Sequence, residues 1–428
     1  MQKSPNTSTT LLFAVFIAGL VIAPWPMGSN RDWAWPLLSC LYLLISLSLL
    51  FRMPAPATHH ARIVLVLFAT LLLWIAFQWL GVPGVNHGIS VDPFKTRTDF
   101  LLTLTYAATF YATVSLVQTD NRIRQVAYAV VIVGLLQALL GGAQQLMFDL
   151  ARARGSFPNP NHFAGHLEIA LGLAIGLMLA LSQAASGSRF SLADFLTGPL
   201  GRLRIIIIIL VVALVMSRSR MGNMAFFSSI LITAAISFYY SRSFNRYAAI
   251  LLVSILALDT LIIGNYFGIE RLGERLREVG SDSSSQGRVE LQTYNLRILK
   301  DHFWLGAGAG TYETAFAPYR DAVVSRRADH TEMDYMEFLI ELGVIGSLPL
   351  LGILLTGLHA QVRMLGSMSS TFDRGIAFGC LAGTVSLLIH GFGDVNLQIP
   401  ANALLFVLLL ALPIAMLERR RSPGVEGA

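Results

Sequence analysis

Asp329-His330-Thr331-Glu332-Met333-Asp334-Tyr335-Met336-Glu337-Phe338-Leu339-Ile340-Glu341-Leu342-Gly343 carries the chain from a long polar segment directly into an apolar run. Charged groups at the mouth of an apolar run face protein or a water-filled cavity, because exposing them to hydrocarbon is costly. A helix that has begun by His330 would set residues 330, 334, 337 and 341 at i, i+4, i+7 and i+11, on one polar stripe. The plainer alternative is that Glu337 and Glu341 only pair with arginines of the preceding segment. That segment, residues 268–335, holds nine Lys/Arg, eleven Asp/Glu and two His. It reads as an extracytoplasmic loop that meets substrate, since polar groups of a bilayer protein gather where water reaches.

Outside this loop the chain reads as membrane. With 54% hydrophobic and 13% charged residues, a water-soluble globule is excluded. About 20 apolar residues cross a bilayer as a helix. Twelve runs qualify, near 11–28, 34–51, 61–80, 100–118, 126–148, 162–182, 203–217, 220–240, 247–267, 336–358, 375–392 and 400–417. The expectation is an all-α polytopic membrane protein of about 12 transmembrane helices. It divides into residues 1–267 (helices 1–9), the loop 268–335, and 336–428 (helices 10–12 with a tail). The first run ends in Pro24-Trp25-Pro26 without a small-residue cleavage site, so it reads as an uncleaved span. The seventh and eighth runs are separated by so few residues that the chain must turn back tightly or form a broken pair. Cys40 and Cys380 each sit within an apolar run and read as buried small hydrophobes.

Lys and Arg of the short loops set the orientation. Fifteen fall on the side holding both termini and seven on the other: Arg31, Lys95, Arg97, Arg152, Arg154, Arg218 and Arg220. Both termini are then cytoplasmic and the large loop lies outside. Basic residues grouped in this way set topology rather than grip a phosphate backbone, so nucleic acid is not an expected partner.

Two clusters on the minority side carry chemistry. In Arg152-Ala-Arg154-Gly-Ser-Phe-Pro-Asn159-Pro-Asn161-His162-Phe-Ala-Gly-His166, the prolines extend the chain and Asn159 and Asn161 can cap the helix that follows. The same arginines and amides at a helix N-terminus suit an anion. His162 and His166 lack the companions of a metal site, and none is expected. Ser217-Arg218-Ser219-Arg220 sets arginines at the bilayer edge, either snorkelling or holding phosphate with their planar forks. Within the loop, Leu291, Tyr294 and Ile298 recur at helical spacing and predict a short helix. Phe303-Trp-Leu-Gly306-Ala-Gly308-Ala-Gly310 follows no strand, so it reads as a tight apolar turn on the membrane surface rather than a nucleotide loop.

In order and spacing, several motifs together resemble the bacterial O-antigen ligase and O-antigen polymerase superfamily. They are Arg152-x-Arg-Gly-Ser-Phe-x-Asn159-x-Asn161-His162, Ser219-Arg220-Met-Gly, Gly287-Arg288, Asp301-His-Phe-Trp-Leu-Gly-Ala-Gly, Asp329-His330, Asp334-Tyr335 and Glu341-Leu-Gly-Val-Ile-Gly. The resemblance covers residues 150–350 well and the rest only through the span count. It implies a GT-C-type fold and metal-independent inverting transfer without a cofactor. It also implies an undecaprenyl-diphosphate-linked glycan as donor at the outer face of the inner membrane. By motif it assigns catalysis to Arg220 (less securely Arg218), Arg288 and His330. Many members carry a second histidine where this chain has Glu332-Met333, a departure that bears on the acceptor side.

Residue chemistry and resemblance combine into one expectation. Arg220 and Arg288, with Arg152, Arg154, Arg218, Asn159, Asn161 and His162, hold the donor diphosphate. His330, of near-neutral ordinary pKa, acts as base beside Asp334 and Glu332, with Tyr335 and Glu341 in support. The acceptor glycan would be lipid A-core, a growing polysaccharide or a glycoprotein. Protein O-oligosaccharyltransfer and a non-enzymatic transporter are the alternatives.

Overall fold

The computed structural model describes residues 7–53, 56–81, 89–182, 198–241, 283–320, 328–366 and 369–421. Among them are thirteen helices: α1 (Thr7–Ile22), α2 (Ala34–Leu50), α3 (His59–Leu80), α4 (Pro93–Leu116), α5 (Asp120–Met147), α6 (Pro160–Ser182), α7 (Pro199–Met216), α8 (Arg220–Ser241), α9 (Ser283–Asp301), α10 (Tyr312–Phe316), α11 (Asp334–Leu365), α12 (Thr371–His390) and α13 (Pro400–Arg421). Eight of these, α3, α5, α6, α7, α8, α11, α12 and α13, are long and apolar enough to cross a membrane, and α1 and α2 are shorter apolar helices. The protein is thus an all-helical, multi-span membrane protein. Each predicted run except 247–267, which lies outside the described residues, coincides with one of the thirteen helices, but the run 100–118 falls on α4, which is not among the eight. The expected tight reversal between the seventh and eighth runs is present, with only residues 217–219 between α7 and α8.

Helices alternate between two ends. At one end Glu418 of α13 accepts from the backbone N–H of Thr58 at 2.8 Å, and Arg419 and Arg420 meet Asp373 at 2.7 and 2.9 Å. At the other end, called here the loop end, Ser156 donates to the Pro24 carbonyl, Ala401 N–H to Gly28, and Val91 N–H to Ala307. α13 and α6 are the innermost helices. α6 and α12 approach so closely that Cβ atoms at Gly172 and Gly176 would stand 2.7 Å from the carbonyls of Gly379 and Gly375. Small residues permit such contact where no hydrophobic effect drives helices together. Cys380 is buried in α12, but Cys40 is exposed on α2, so only one cysteine fits the expectation of burial.

Of the stretch expected as a surface turn, Phe303, Trp304 and Leu305 are exposed, but the glycine run that follows them is buried. It fills a break in α11. Gly343 takes φ 66°, ψ 177°, which releases the helical carbonyls before it. Ala307 N–H donates to Ile340 O (2.8 Å) and Gly308 N–H to Glu341 O (3.0 Å), while Val344 N–H donates to Phe303 O (2.9 Å). Gln78 and Trp74 of α3 reach the Glu341 and Leu342 carbonyls, each at 2.9 Å. Irregular backbone at membrane depth is tolerated only when its polar groups are satisfied in this way. Gly306, at φ 74°, could not be otherwise, because its Cβ would stand 2.1 Å from the Glu341 carbonyl oxygen. Gly306→Ala is therefore expected to cost at least roughly 1–3 kcal/mol, read as a lower melting temperature of the purified protein in detergent. An unchanged melting temperature would show that the insertion contributes nothing.

Candidate functional site

Of the stripe expected from His330 onward, Asp334, Glu337 and Glu341 lie buried on α11, but His330 does not join them, because α11 begins only at Asp334 and Glu332 adopts a left-handed φ of 63°. That reversal swings His330 back over the first turns of α11. Its Nδ1 lies 2.6 Å from Glu337 Oε1. The other Glu337 oxygen accepts from the Thr331 N–H at 2.9 Å. Asp334 turns elsewhere, accepting from the backbone N–H groups of Asn396 and Leu397, each at 3.1 Å. Glu341 accepts from Tyr312 N–H at 2.9 Å. Tyr335 donates to the Leu388 carbonyl at 2.5 Å and packs on the Phe392 ring. The three carboxylates thus have three separate partners, and the partner of His330 is Glu337 rather than Asp334 or Glu332.

Two helices brace the histidine from behind. The predicted amphipathic helix is α9, which buries Tyr294 and Ile298 against Tyr312, Phe316 and Ile340. From its inner face Gln292 and Asn295 donate to the Thr331 carbonyl at 3.0 and 3.3 Å, and the Tyr312 hydroxyl donates to Asn295 at 2.5 Å. Burial, together with Glu337, Glu332 and Glu341, raises the Tyr312 pKa, so this hydroxyl stays a neutral donor. Burial alone would lower the His330 pKa. The Glu337 carboxylate, through its charge and hydrogen bond, then Glu341 and Asp329, overcome it and raise the value to about 9. The near-neutral value expected for His330 is thereby corrected: its carboxylate partner stabilises the imidazolium.

The arginine cluster assembles from three stretches remote in sequence. Asn159 caps α6 as expected, its side chain accepting from Asn161 N–H at 2.8 Å. Asn161 does not cap. Its amide joins Arg152 to Asp394, a residue of the loop between α12 and α13. Arg152 also donates to the Ser217 carbonyl at 2.8 Å, tying the loop before α6 to the α7–α8 turn. In that turn Arg218 takes φ 51°, and Ser219 caps α8 by accepting from Gly222 N–H at 3.2 Å. Arg220 occupies the first turn of α8, exposed, as are Arg218 and Arg154. A cation at a helix N-terminus opposes the positive end of the helix dipole, a conflict that a bound anion resolves. His162 faces Asp394 at 3.4 Å, whereas His166 packs its ring on Phe157. Arg288 lies on α9, one turn before Gln292, and its side chain is outside the described set.

Two acids were missed in the sequence. Burial would raise the Asp394 carboxyl, but neighbouring His162 and His390 and the Val395 N–H bring its pKa down to about 2, so it stays an anion holding Asn161 and hence Arg152. Its signal, an Asp after a glycine and two residues before an asparagine, between two apolar runs, was present in Gly393-Asp394-Val395-Asn396 but resembles any polar turn. The other is Glu168 of α6, fully buried with His390 of α12 at 2.7 Å and Ser386 at 2.6 Å. Among the described residues no group of three or more His, Cys, Asp or Glu is arranged to hold a metal ion.

The loop 391–397 joins the two halves of this surface, since it supplies the N–H groups that hold Asp334 and also carries Asp394. A search among curated proteins gives no significant match. Among protein-family models, O-antigen ligase (Wzy_C) matches residues 205–351. The matched stretch runs from α7 into α11 and includes Arg218, Arg220, Arg288, His330 and Glu337. Over residues 205–351, about a third of its length, the chain carries a domain of the O-antigen ligase family.

Proposed function

We propose that this protein transfers a glycan from an undecaprenyl-diphosphate-linked donor to an acceptor hydroxyl at the outer face of the bacterial inner membrane. The observation that carries this reading is the gathering of Arg152, Arg218 and Arg220 with the His330–Glu337 pair at one end of the helix bundle, joined by the 391–397 loop. The excess of fifteen basic residues over seven on the side of the termini supports an outward-facing loop end.

The arginines neutralise charge that develops on the diphosphate as its bond to the anomeric carbon breaks and the electron pair leaves with the phosphate oxygen. We assign Arg288 of α9, one turn before Gln292 in sequence, to the same task on its motif. The acceptor hydroxyl attacks from the opposite face of the sugar, inverting the anomeric centre, and its proton passes to the free Nε2 side of the His330 ring. Glu337 then stabilises the imidazolium formed, as a carboxylate does in a hydrolase triad. No step calls for a metal ion or a cofactor, and a GT-C-type architecture accords with the many spans and the partly helical outer loop. The broken helix α11 invites comparison with transporters, whose interrupted helices offer backbone groups to ions. Here those groups are consumed by residues 303–308 and by Gln78 and Trp74.

Reconstituted protein supplied with a lipid-linked oligosaccharide is expected to release undecaprenyl diphosphate and extend one of three acceptors, in EDTA as in divalent metal. The acceptors are lipid A-core, a second lipid-linked oligosaccharide and a hydroxyl-bearing protein, and the one extended distinguishes ligase, polymerase and protein glycosylation. Transfer to none of them would overturn the reading.

A further inference from the structure

A cavity of about 410 Å³ lies between α3, α4, α11 and α13. That volume falls within the roughly 300–1,000 Å³ of sites that take small molecules. Its walls are apolar, with Phe68, Leu354, Phe406, Val407 and Leu410 among the lining residues. Leu410 stands ten residues into α13, so the cavity reaches roughly 15 Å below the loop end, about half of a ~30 Å hydrocarbon core. Its polar groups cluster towards the loop end: Asp99 on the second turn of α4, Tyr106 two turns further in, and Tyr335 and Glu341 on the first turns of α11. Glu341 is one turn from Glu337, so this head of the cavity adjoins the His330–Glu337 pair.

The lack of a cation in the lining selects its occupant. Among the described residues that line the cavity none is Lys or Arg, and two are carboxylates. The two bases of α4 nearest Asp99 are turned to other partners: Arg97 stacks over the Phe94 ring at 4.9 Å and Lys95 is engaged by Glu313 at 2.7 Å. A low-dielectric wall without a cation leaves a diphosphate's charge uncompensated, whereas carboxyl groups hydrogen-bond hydroxyl groups. The arginines lie instead on the flank reached through Asn161 and Asp394.

We propose that this cavity holds the hydrocarbon chain of a glycolipid acceptor that has no diphosphate linkage, with hydroxyls of its sugar head at Asp99 and Glu341 and one hydroxyl presented to His330. The inference rests on the transfer reading above and assigns the acceptor and donor lipids to opposite flanks of the α11 N-terminus. Two photoreactive probes test it on the full-length protein in nanodiscs: a glycolipid with an uncharged disaccharide head and a diazirine in its acyl chain, and undecaprenyl diphosphate carrying the same label. The glycolipid is expected to label the α13 segment around residues 403–410, and undecaprenyl diphosphate is not. Val407→Trp, which fills the cavity, is expected to lower glycolipid labelling at least tenfold and to raise the acceptor KM without changing the donor KM. Asp99→Asn should weaken labelling several-fold. Should Val407→Trp fail to accumulate, Leu354→Phe gives the same readout. Labelling of this segment by undecaprenyl diphosphate, absence of glycolipid labelling, or labelling unmoved by the filling variants would each overturn the proposal. Labelling does not need turnover. Cavity labelling without transfer by the wild-type protein would overturn the transfer reading alone, and transfer without labelling would overturn this one alone.

Discussion

Arg220→Ala is expected to lower transfer roughly 100- to 1,000-fold, the usual loss when one preorganised donor to a developing anion is removed. Membrane abundance of the protein should not change, because the side chain is exposed in the first turn of α8 and its loss leaves no cavity in the bundle. The cap of that helix belongs to Ser219, which the substitution does not touch. Arg220→Lys separates two contributions. It keeps the charge but replaces a planar fork by a single ammonium group, so it should recover only part of the activity. Turnover by lipid-linked substrate assay, with abundance by immunoblot, is the measurement. Full activity in Arg220→Lys would reduce the residue to a point charge, and full activity in Arg220→Ala would remove it from the site.

His330→Ala should cost roughly a hundred- to ten-thousand-fold in turnover, the range for a positioned general base, with donor affinity unchanged. The pH dependence follows from the folded pKa of about 9. Below that value the ring carries its proton, and a base must first shed it. Transfer should therefore climb by about tenfold per pH unit from neutrality and level off near pH 9. Glu337→Gln removes the strongest influence opposing burial, so the ring's pKa falls and the plateau should be reached at lower pH. Its height should drop, because the imidazolium formed during transfer loses its partner 2.6 Å away. A rate that instead fell above pH 9 would mean that the ring acts as a cation, and the base would have to be sought elsewhere.

The positions of the spans were legible in the chain because the bilayer acts locally. Each polar group in hydrocarbon is costly by itself, so a run such as Ile205–Val215 declares its place without reference to any distant residue. The arginines at 152, 218 and 220 were legible for the same reason, standing on the side where positive charge is scarce. The amphipathic spacing of Tyr294 and Ile298 likewise announced α9. Tertiary structure decided the rest. Whether His330 lies on a helix turns on a left-handed residue at Glu332, which no periodicity reveals, and that one dihedral angle exchanges Asp334 for Glu337 as its neighbour. The glycines at 306 and 343 read as ordinary turn residues until each is found against the other's backbone, 37 positions apart. Asp394 could not be matched to Asn161 across 233 residues, because a carboxylate's partner is chosen by which helix ends the bundle brings together and not by the residues beside it. Hydrophobicity is a property of each segment, whereas hydrogen bonds join pairs of groups, and the pairs of this site were made only when α6, α8, α11 and the loop before α13 met at one end of the bundle.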